Sequence, residues 1–255
     1  MEAMGLRAAV MNQVIDLLKS HRSIREFSDR PVPQALIDEL VRVGQCASTS
    51  SFIQGCTVIQ INSAGDRQKL AVYAGDQPYV ARAPVFLVFC ADMQRHRLAC
   101  EMHATTMLSG YTEQFITATV DCALFAQNLI VAAESLGLGG VFIGGIRNQI
   151  AAVAALLDLP DLVYPVFGMC LGYPDQAPLS RPRLPLPVVL KQDRYDDSGD
   201  RERIAEYDQS VRDYYMNRTG GRKATAWSEQ ISVMLRRESR PHMLKFLRCK
   251  GFLLK

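Results

Sequence analysis

From residue 115 to residue 136 the chain is almost continuously apolar, and Gly137 ends the run. A stretch of that length is either a membrane span or a long core helix. Asp121, Gln127, Asn128 and Glu134 interrupt it, and one charged side chain at the centre of a bilayer costs roughly 3 kcal/mol even on the mildest scale. The expectation is therefore a central core helix, buried in part between subunits, with no membrane partner. Gly137 falls at the position after the cap, where a left-handed residue closes a helix.

A long helix in mid-chain needs layers around it, and the flanking segments supply them. Val14, Ile15, Leu17 and Leu18 predict a helix over 10–19, and Pro33 opens a second one reaching Gln45. A small polar loop follows at 47–52. Strands are predicted at 57–62, which alternates, and at 85–91, which is nearly all apolar. A helix separates these two strands, followed by a turn over 73–79. Beyond the long helix come a short strand at 139–143, a turn at Gly144 and Gly145, a helix at 148–157 and a strand at 164–173. Helices and strands mix without strict βαβ alternation, which favours an α+β fold with its sheet sandwiched by helices. Residues 174–187 hold five of the twelve prolines and read as an extended arm. Helices at 201–215 and 227–238 follow, joined by a glycine-bearing basic loop at 217–223. The organisation expected is an N-terminal extension over 1–11 and a single domain over 12–255. Its 174–255 portion is an arm and helical excursion packing on its own core or on a second subunit.

Several function classes lose support on composition. Hydrophobic residues make up 48% and charged residues 22%, an ordinary globular balance. A net charge of +3 is too weak to point to nucleic acid, and no aromatic platform accompanies it. Seven cysteines, odd in number and without a C-x-x-C pair, read as buried thiols of a reducing compartment. With no signal-peptide apolar core at the N-terminus, the cytoplasm is expected. His21, His96, His103 and His242 lack metal-ligand spacing, and His96 and His103 read as surface residues. No serine sits in a G-x-S-x-G elbow, so hydrolase chemistry finds no support.

Three basic clusters carry the chemical signal. In His21-Arg22-Ser23-Ile24-Arg25, two guanidinium forks and a hydroxyl suit a phosphate group. An extended backbone would send Arg22 and Arg25 to opposite faces, because their separation is odd. A helical turn or loop is expected to present them together, and a solvated basic turn is the competing reading. Arg181-Pro182-Arg183 repeats the theme in the arm, where proline lowers the entropy lost on ordering its neighbours; an ordinary surface arm explains it as well. Arg218 and Lys223 flank Gly220-Gly221 in the third cluster, for which a solvated loop is the default. Three cation sites together suit more than one phosphate group. The glycines at Gly137, Gly139 and Gly140 do not form a dinucleotide fingerprint, because there the strand must precede and the helix follow.

Longer segments extend the pattern: Ser48-Thr49-Ser50-Ser51-Phe52-Ile53-Gln54, Ala126-Gln127-Asn128, Glu134-Ser135-Leu136-Gly137-Leu138-Gly139-Gly140-Val141-Phe142-Ile143-Gly144-Gly145, Phe167-Gly168-Met169-Cys170-Leu171-Gly172-Tyr173-Pro174 and Glu238-Ser239-Arg240-Pro241. With these, the chain from about residue 12 onward resembles the oxygen-insensitive NADPH nitroreductases of the major, NADPH-specific group, close to the NADPH–FMN oxidoreductase flavin reductases. The resemblance implies a nitroreductase-like fold, with a central mostly antiparallel sheet flanked by helices, in a domain-entwined homodimer. It implies FMN bound non-covalently at a site built from both chains, NADPH as electron donor, and nitroaromatics and quinones as small-molecule acceptors in a ping-pong cycle. Supply of reduced flavin to a partner monooxygenase is the alternative.

By position, His21, Arg22, Ser23, Arg25, Thr49, Gln77, Tyr79, Phe142, Ile143, Gly144, Gly145, Arg181 and Arg183 would contact FMN. Arg218 and Lys223 would hold the NADPH 2′-phosphate, and Ser51, Phe52 and Arg240 would line the acceptor pocket. Arg25 would act electrostatically, with no side-chain nucleophile required. Phe142, Arg181 and Lys223 stand where the family commonly has tyrosine, lysine and arginine.

Overall fold

In the computed structural model, which describes residues 12–255, four strands form one antiparallel sheet: β1 (Cys56–Gln60), β2 (Val85–Asp92), β3 (Gly139–Ile143) and β4 (Val163–Gly172), in the spatial order β1-β2-β4-β3. The N-terminal extension at 1–11 lies outside the described residues. Every residue of β2 is buried, and so is β4 apart from the half-buried Phe167. That burial is the origin of their unbroken apolar sequence, since helices cover both faces of the sheet.

The period of two along β2 sorts its side chains. Val85, Leu87 and Phe89 pack with Ile37 and Leu40 of one helix and with Phe125, Leu129, Ile130 and Ala133 of another. These helices are Gln34–Gln45 and Thr112–Ser135. Phe86, Val88 and Cys90 meet Leu70, Ala71, Val80, Ile146, Val153 and Ala154 on the opposite face. The sandwich expected from the sequence is thus present. A third cluster joins Ala91, Cys122 and Tyr164 to Leu247 and Phe252, so the chain's last segment seals one end of the sheet.

The helix Thr112–Ser135 follows the apolar run closely and ends in a Schellman motif at Gly137: φ is +79° there, Gly137 N–H donates to the Glu134 carbonyl at 3.1 Å, and Leu138 N–H donates to the Ala133 carbonyl at 3.0 Å. Its core face carries Ala118, Asp121, Cys122, Phe125, Leu129 and Ala133. The other face is not core. Ile116, Val120 and Leu124, four residues apart, remain 47%, 48% and 42% exposed and form an apolar stripe.

Elsewhere the local pattern mispredicts detail. The turn at Gly144 and Gly145 is the start of a 3-10 helix, Gly144–Gln149, so the following helix begins late, at Ile150–Leu156. Short helices at Pro78–Arg82, Gln94–Met102 and Met243–Cys249 were not legible. The polar sequence of Gln94–Met102 hides any helical stripe. His96, read as a surface residue, is half-buried with Nε2 2.5 Å from the Ile53 carbonyl. Of the seven cysteines, all free, Cys90, Cys122 and Cys170 are buried, whereas Cys46 and Cys249 are exposed. The segment after the first helix, Gln13–Lys19, is extended rather than turned. Ser23 bridges in parallel to Gly140, Ile24 N–H donates to the Gly140 carbonyl at 2.9 Å, and Phe27 bridges to Pro174.

Chain contacts divide the molecule into two compact units, one comprising 12–178 with Arg240–Lys255 and the other Leu179–Ser239. The second unit holds the helices Leu186–Val189, Asp200–Thr219 and Trp227–Met234. Its small core is Tyr207, Val211 and Tyr215 with Leu184, Tyr214 and Trp227. Asp208 joins the two longer helices by accepting from the Ser228 backbone at 2.9 Å and from the Ser228 hydroxyl. The sequence places Arg218 in a loop, but the helix continues to Thr219 and holds Arg218 in its last turn. The third helix stops at Met234, short of the predicted 238.

Candidate cofactor and acceptor site

The strand β3 ends at Ile143, and the chain then turns close against the segment after the helix Ala64–Tyr73. A Cβ on Gly145 would lie 2.3 Å from the Ala74 carbonyl oxygen and 2.4 Å from Gln77 Nε2. Glycine is required there by the approach of backbone to backbone. The Ala74 carbonyl accepts from Gln77 Nε2 at 2.6 Å and from Asn148 Nδ2 at 3.3 Å. Tyr79 donates its hydroxyl to Gln77 Oε1 at 2.5 Å, and the Arg25 guanidinium sits 5.9 Å from the Tyr79 ring centroid. Arg25, Gln77, Tyr79, Gly144 and Gly145 are thereby gathered at one corner. In β3 Ile143 is fully buried. Phe142 is 37% exposed and packs edge-on against Phe167.

Arg147 lies behind Gly144, whose added Cβ would stand 3.2 Å from Arg147 Nη2. Its guanidinium donates to the Val166 carbonyl. Burial, and then the neighbouring Arg240, hold its pKa below the usual arginine value. Arg240 joins the corner through Asn148, with Nε donating to Asn148 Oδ1 at 2.9 Å. No nucleophile is activated here. Burial pushes the Cys170 thiol up to about 12 against the opposing charges of Arg67 and Arg25, so it stays protonated and inert.

Other expected site residues fall elsewhere. Because the 21–27 segment is extended, Arg22 and Arg25 part company. Arg25 goes to Tyr79, while Arg22 and Ile24 line a hollow of about 290 Å³ with Ser20, Glu134 and Gln176. His21 Nδ1 is 2.6 Å from Glu134 Oε1. Ser23 is tied by its bridge to Gly140.

Thr49, Ser51 and Phe52 occupy a loop clamped by Asp121, which accepts from Ser50 N–H at 3.1 Å and Gly55 N–H at 3.0 Å. Ser51, Phe52 and Gln54 have φ of +47°, +59° and +56°, and Phe52 is 82% exposed. Among the described residues, no hydrogen bond or ion pair joins this loop to the Gly145 corner.

In the second unit, Arg181 and Arg183 lie near Tyr207, whose hydroxyl donates to the Pro182 carbonyl at 3.0 Å; burial raises its pKa and the two arginines oppose that. Arg218 and Lys223 gather at the end of Asp200–Thr219, where the helix dipole favours cations. Lys223 Nζ stands 4.7 Å from the Tyr215 ring centroid.

Sequence reasoning missed Asp121, Glu134, Arg147 and Asn148, all of which act through partners distant in sequence.

The fold and sequence have counterparts among known proteins. Residues 18–173 match the nitroreductase family, and residues 181–255 match the nitroreductase family C-terminal domain. An NADPH-flavin oxidoreductase of Vibrio harveyi is 41% identical over 94% of this chain and 98% of its own length. An oxygen-insensitive NADPH nitroreductase of Salmonella typhimurium is also 41% identical, over 95% of this chain and 99% of its own. The crystal structure of nitroreductase A from Vibrio parahaemolyticus superimposes with a TM-score of 0.90 at 40% identity, covering 96% of this chain and all of that one. With a family match across most of its length and relatives of this identity, the chain belongs to the nitroreductase family.

Proposed function

We propose that this protein is an FMN-dependent oxidoreductase that takes hydride from NADPH and reduces nitroaromatics and quinones in two-electron steps, acting as a homodimer in the cytoplasm. The observation that carries the reading is the Gly145 corner, where a bare backbone approaches the Ala74 carbonyl and Gln77. Its hydrogen-bonding side chains, Arg25, Gln77 and Tyr79, include no carboxylate. Such a donor set fits a planar ring that becomes electron-rich on reduction, and bound FMN supplies the hydride-accepting group. The Arg25 charge favours that electron-rich form. The backbone N–H groups of Gly144 and Gly145 would be the donors to the bound ring, with no Cβ at either position to hold it off.

His21, Arg22, Ser23, Thr49, Phe142, Ile143, Arg181 and Arg183 complete the cofactor assignment. Ser51, Phe52 and Arg240 bound the acceptor. A second copy of the chain accounts for the 49–52 loop, which among the described residues makes no hydrogen bond or ion pair to its own corner, and covers the exposed stripe of Ile116, Val120 and Leu124. A second reading, an NADPH–FMN reductase that passes reduced flavin to a monooxygenase, is kept because the flavin oxidoreductase and the nitroreductase relatives are equally similar.

The test is an absorption spectrum of the purified protein, followed by anaerobic NADPH and then an acceptor. Flavin bands that bleach with NADPH and return with nitrofurazone or a quinone are expected. Faster turnover with free FMN would move the assignment to the flavin reductase. Protein that binds no flavin on reconstitution would end the proposal.

Arg218 and Lys223 are assigned to the NADPH 2′-phosphate, which NADH lacks. One lost charge-assisted hydrogen bond costs about 1.4 kcal/mol, or tenfold. Arg218→Ala is expected to raise KM for NADPH about tenfold and to spare KM for NADH. Equal rises for both donors would remove Arg218 from this role.

A further inference from the structure

Arg240 is not held by its own backbone. Its φ is +60°, a region a long L side chain rarely adopts without support. Support comes from Asn148. The Asn148 amide nitrogen donates to the Ala74 carbonyl, and its oxygen is left to receive Arg240 Nε at 2.9 Å. Gly75, with φ of +90°, makes the seat: a Cβ there would lie 3.1 Å from Asn148 Nδ2. The same Ala74 carbonyl receives Gln77, so one asparagine connects the Gln77 turn to Arg240.

Arg147 is a second guanidinium beside Arg240, close enough that burial and then Arg240 disfavour its charged form. The groups around this pair include Asn148, the Val166 carbonyl, the Tyr164 phenol, which favours the Arg147 charge, and His242, whose Nε2 is 2.9 Å from the Arg147 carbonyl. Among the described residues no carboxylate pairs with either arginine. Two cations this near repel, and the neutral oxygen of Asn148 fixes one of them without cancelling its charge. Arg240 Nη1 and Nη2 make no hydrogen bond among the described residues.

We propose that Asn148 is a positioning residue: by holding Arg240 Nε it leaves the two terminal nitrogens of the fork for a carboxylate or comparably electron-rich oxygen of the electron acceptor. The pocket then discriminates acceptors by charge. This inference rests on the reading that Arg240 lines the acceptor pocket, and the test separates the two.

The FMN-loaded enzyme is assayed with NADPH and two acceptors of like shape, para-nitrobenzoate and nitrobenzene. The quantity read is the ratio of their kcat/KM values in the parent, Asn148→Ala, Arg240→Ala and the double variant. Loss of one oriented charge-assisted contact lowers the ratio about tenfold in each single variant. The double variant falls no further, because both changes remove one interaction. Asn148→Asp keeps an oxygen on Nε but neutralises the site, so it lowers the ratio as well; it also serves as the test if the alanine variant does not fold.

A parental ratio in the Asn148 variants beside a lowered one in Arg240→Ala overturns the positioning role and keeps Arg240 in the pocket. So does a loss that falls equally on both acceptors, the mark of a purely structural residue. A parental ratio in Arg240→Ala overturns the pocket assignment and this inference with it.

Discussion

Gly145→Ala is expected to give a protein that is purified nearly free of FMN and melts several degrees below the parent. The new methyl group would meet the Ala74 carbonyl oxygen at 2.3 Å and Gln77 Nε2 at 2.4 Å, distances at which something must move. The carbonyl belongs to a turn that Gln77 and Asn148 both hold by hydrogen bonds, so yielding breaks those bonds. Overpacking of this kind costs about 1–3 kcal/mol. The larger effect falls on the ligand, because Gln77, Tyr79 and Arg25 are displaced with the turn. Gly65→Ala, in the helix Ala64–Tyr73 and outside the assigned site, is the control. Its Cβ would meet nothing nearer than Ser63 Oγ at 3.9 Å, an ordinary contact. The ratio of flavin absorbance to protein absorbance, with thermal melts with and without added FMN, reads both effects. Full flavin occupancy in Gly145→Ala would show that the close approach at this corner does not shape the cofactor site.

The parts of the fold legible in the sequence are those whose cause is local. Strands β2 and β4 are apolar throughout because both sheet faces are covered, and that shows as an unbroken run. The helix Thr112–Ser135 announces itself by length and by the glycine that closes it. Short polar helices such as Gln94–Met102 carry no stripe and pass for loops.

At the site, parity correctly gives opposite faces to Arg22 and Arg25 on an extended backbone. It was the expectation of a turn that failed, because Ile24 donates to Gly140, more than a hundred residues away, and nothing near position 24 records that bond. Asn148 and Asp121 were invisible for the same reason: each is a common polar residue whose meaning lies in distant partners. The resemblance to known nitroreductases named the cofactor and the site positions, while local pattern alone left all three basic clusters open between ligand binding and solvation.

Asp121→Ala is expected to lower stability by about 3 kcal/mol, roughly 10 °C for a domain of this size, and to cut kcat/KM for nitroaromatic acceptors at least tenfold. The carboxylate is 2% exposed and accepts from two backbone N–H groups, those of Ser50 and Gly55. Truncation leaves the buried Gly55 N–H without an acceptor, at about 1–3 kcal/mol, and frees the exposed Ser50 N–H to water; the lost charge-assisted bonds supply the rest. Between them run Ser51, Phe52 and Gln54, three side-chain-bearing residues held at positive φ. Such a conformation persists where its surroundings impose it, and the two bonds to Asp121 are what impose it here. Released, the loop relaxes toward ordinary backbone angles and carries Ser51 and Phe52 away from the place where they would meet an acceptor.

Asp121→Asn retains one oxygen and turns an amide donor toward the second N–H, so its loss should be intermediate. Limited proteolysis adds a third reading, because cleavage within 49–55 should accelerate in the order parent, asparagine, alanine. If Asp121→Ala melts with the parent and keeps its acceptor kinetics, the loop holds its shape without the clamp. The strained angles at Ser51 and Phe52 would then need a different cause, contact with the second copy of the chain being the one the proposed dimer supplies.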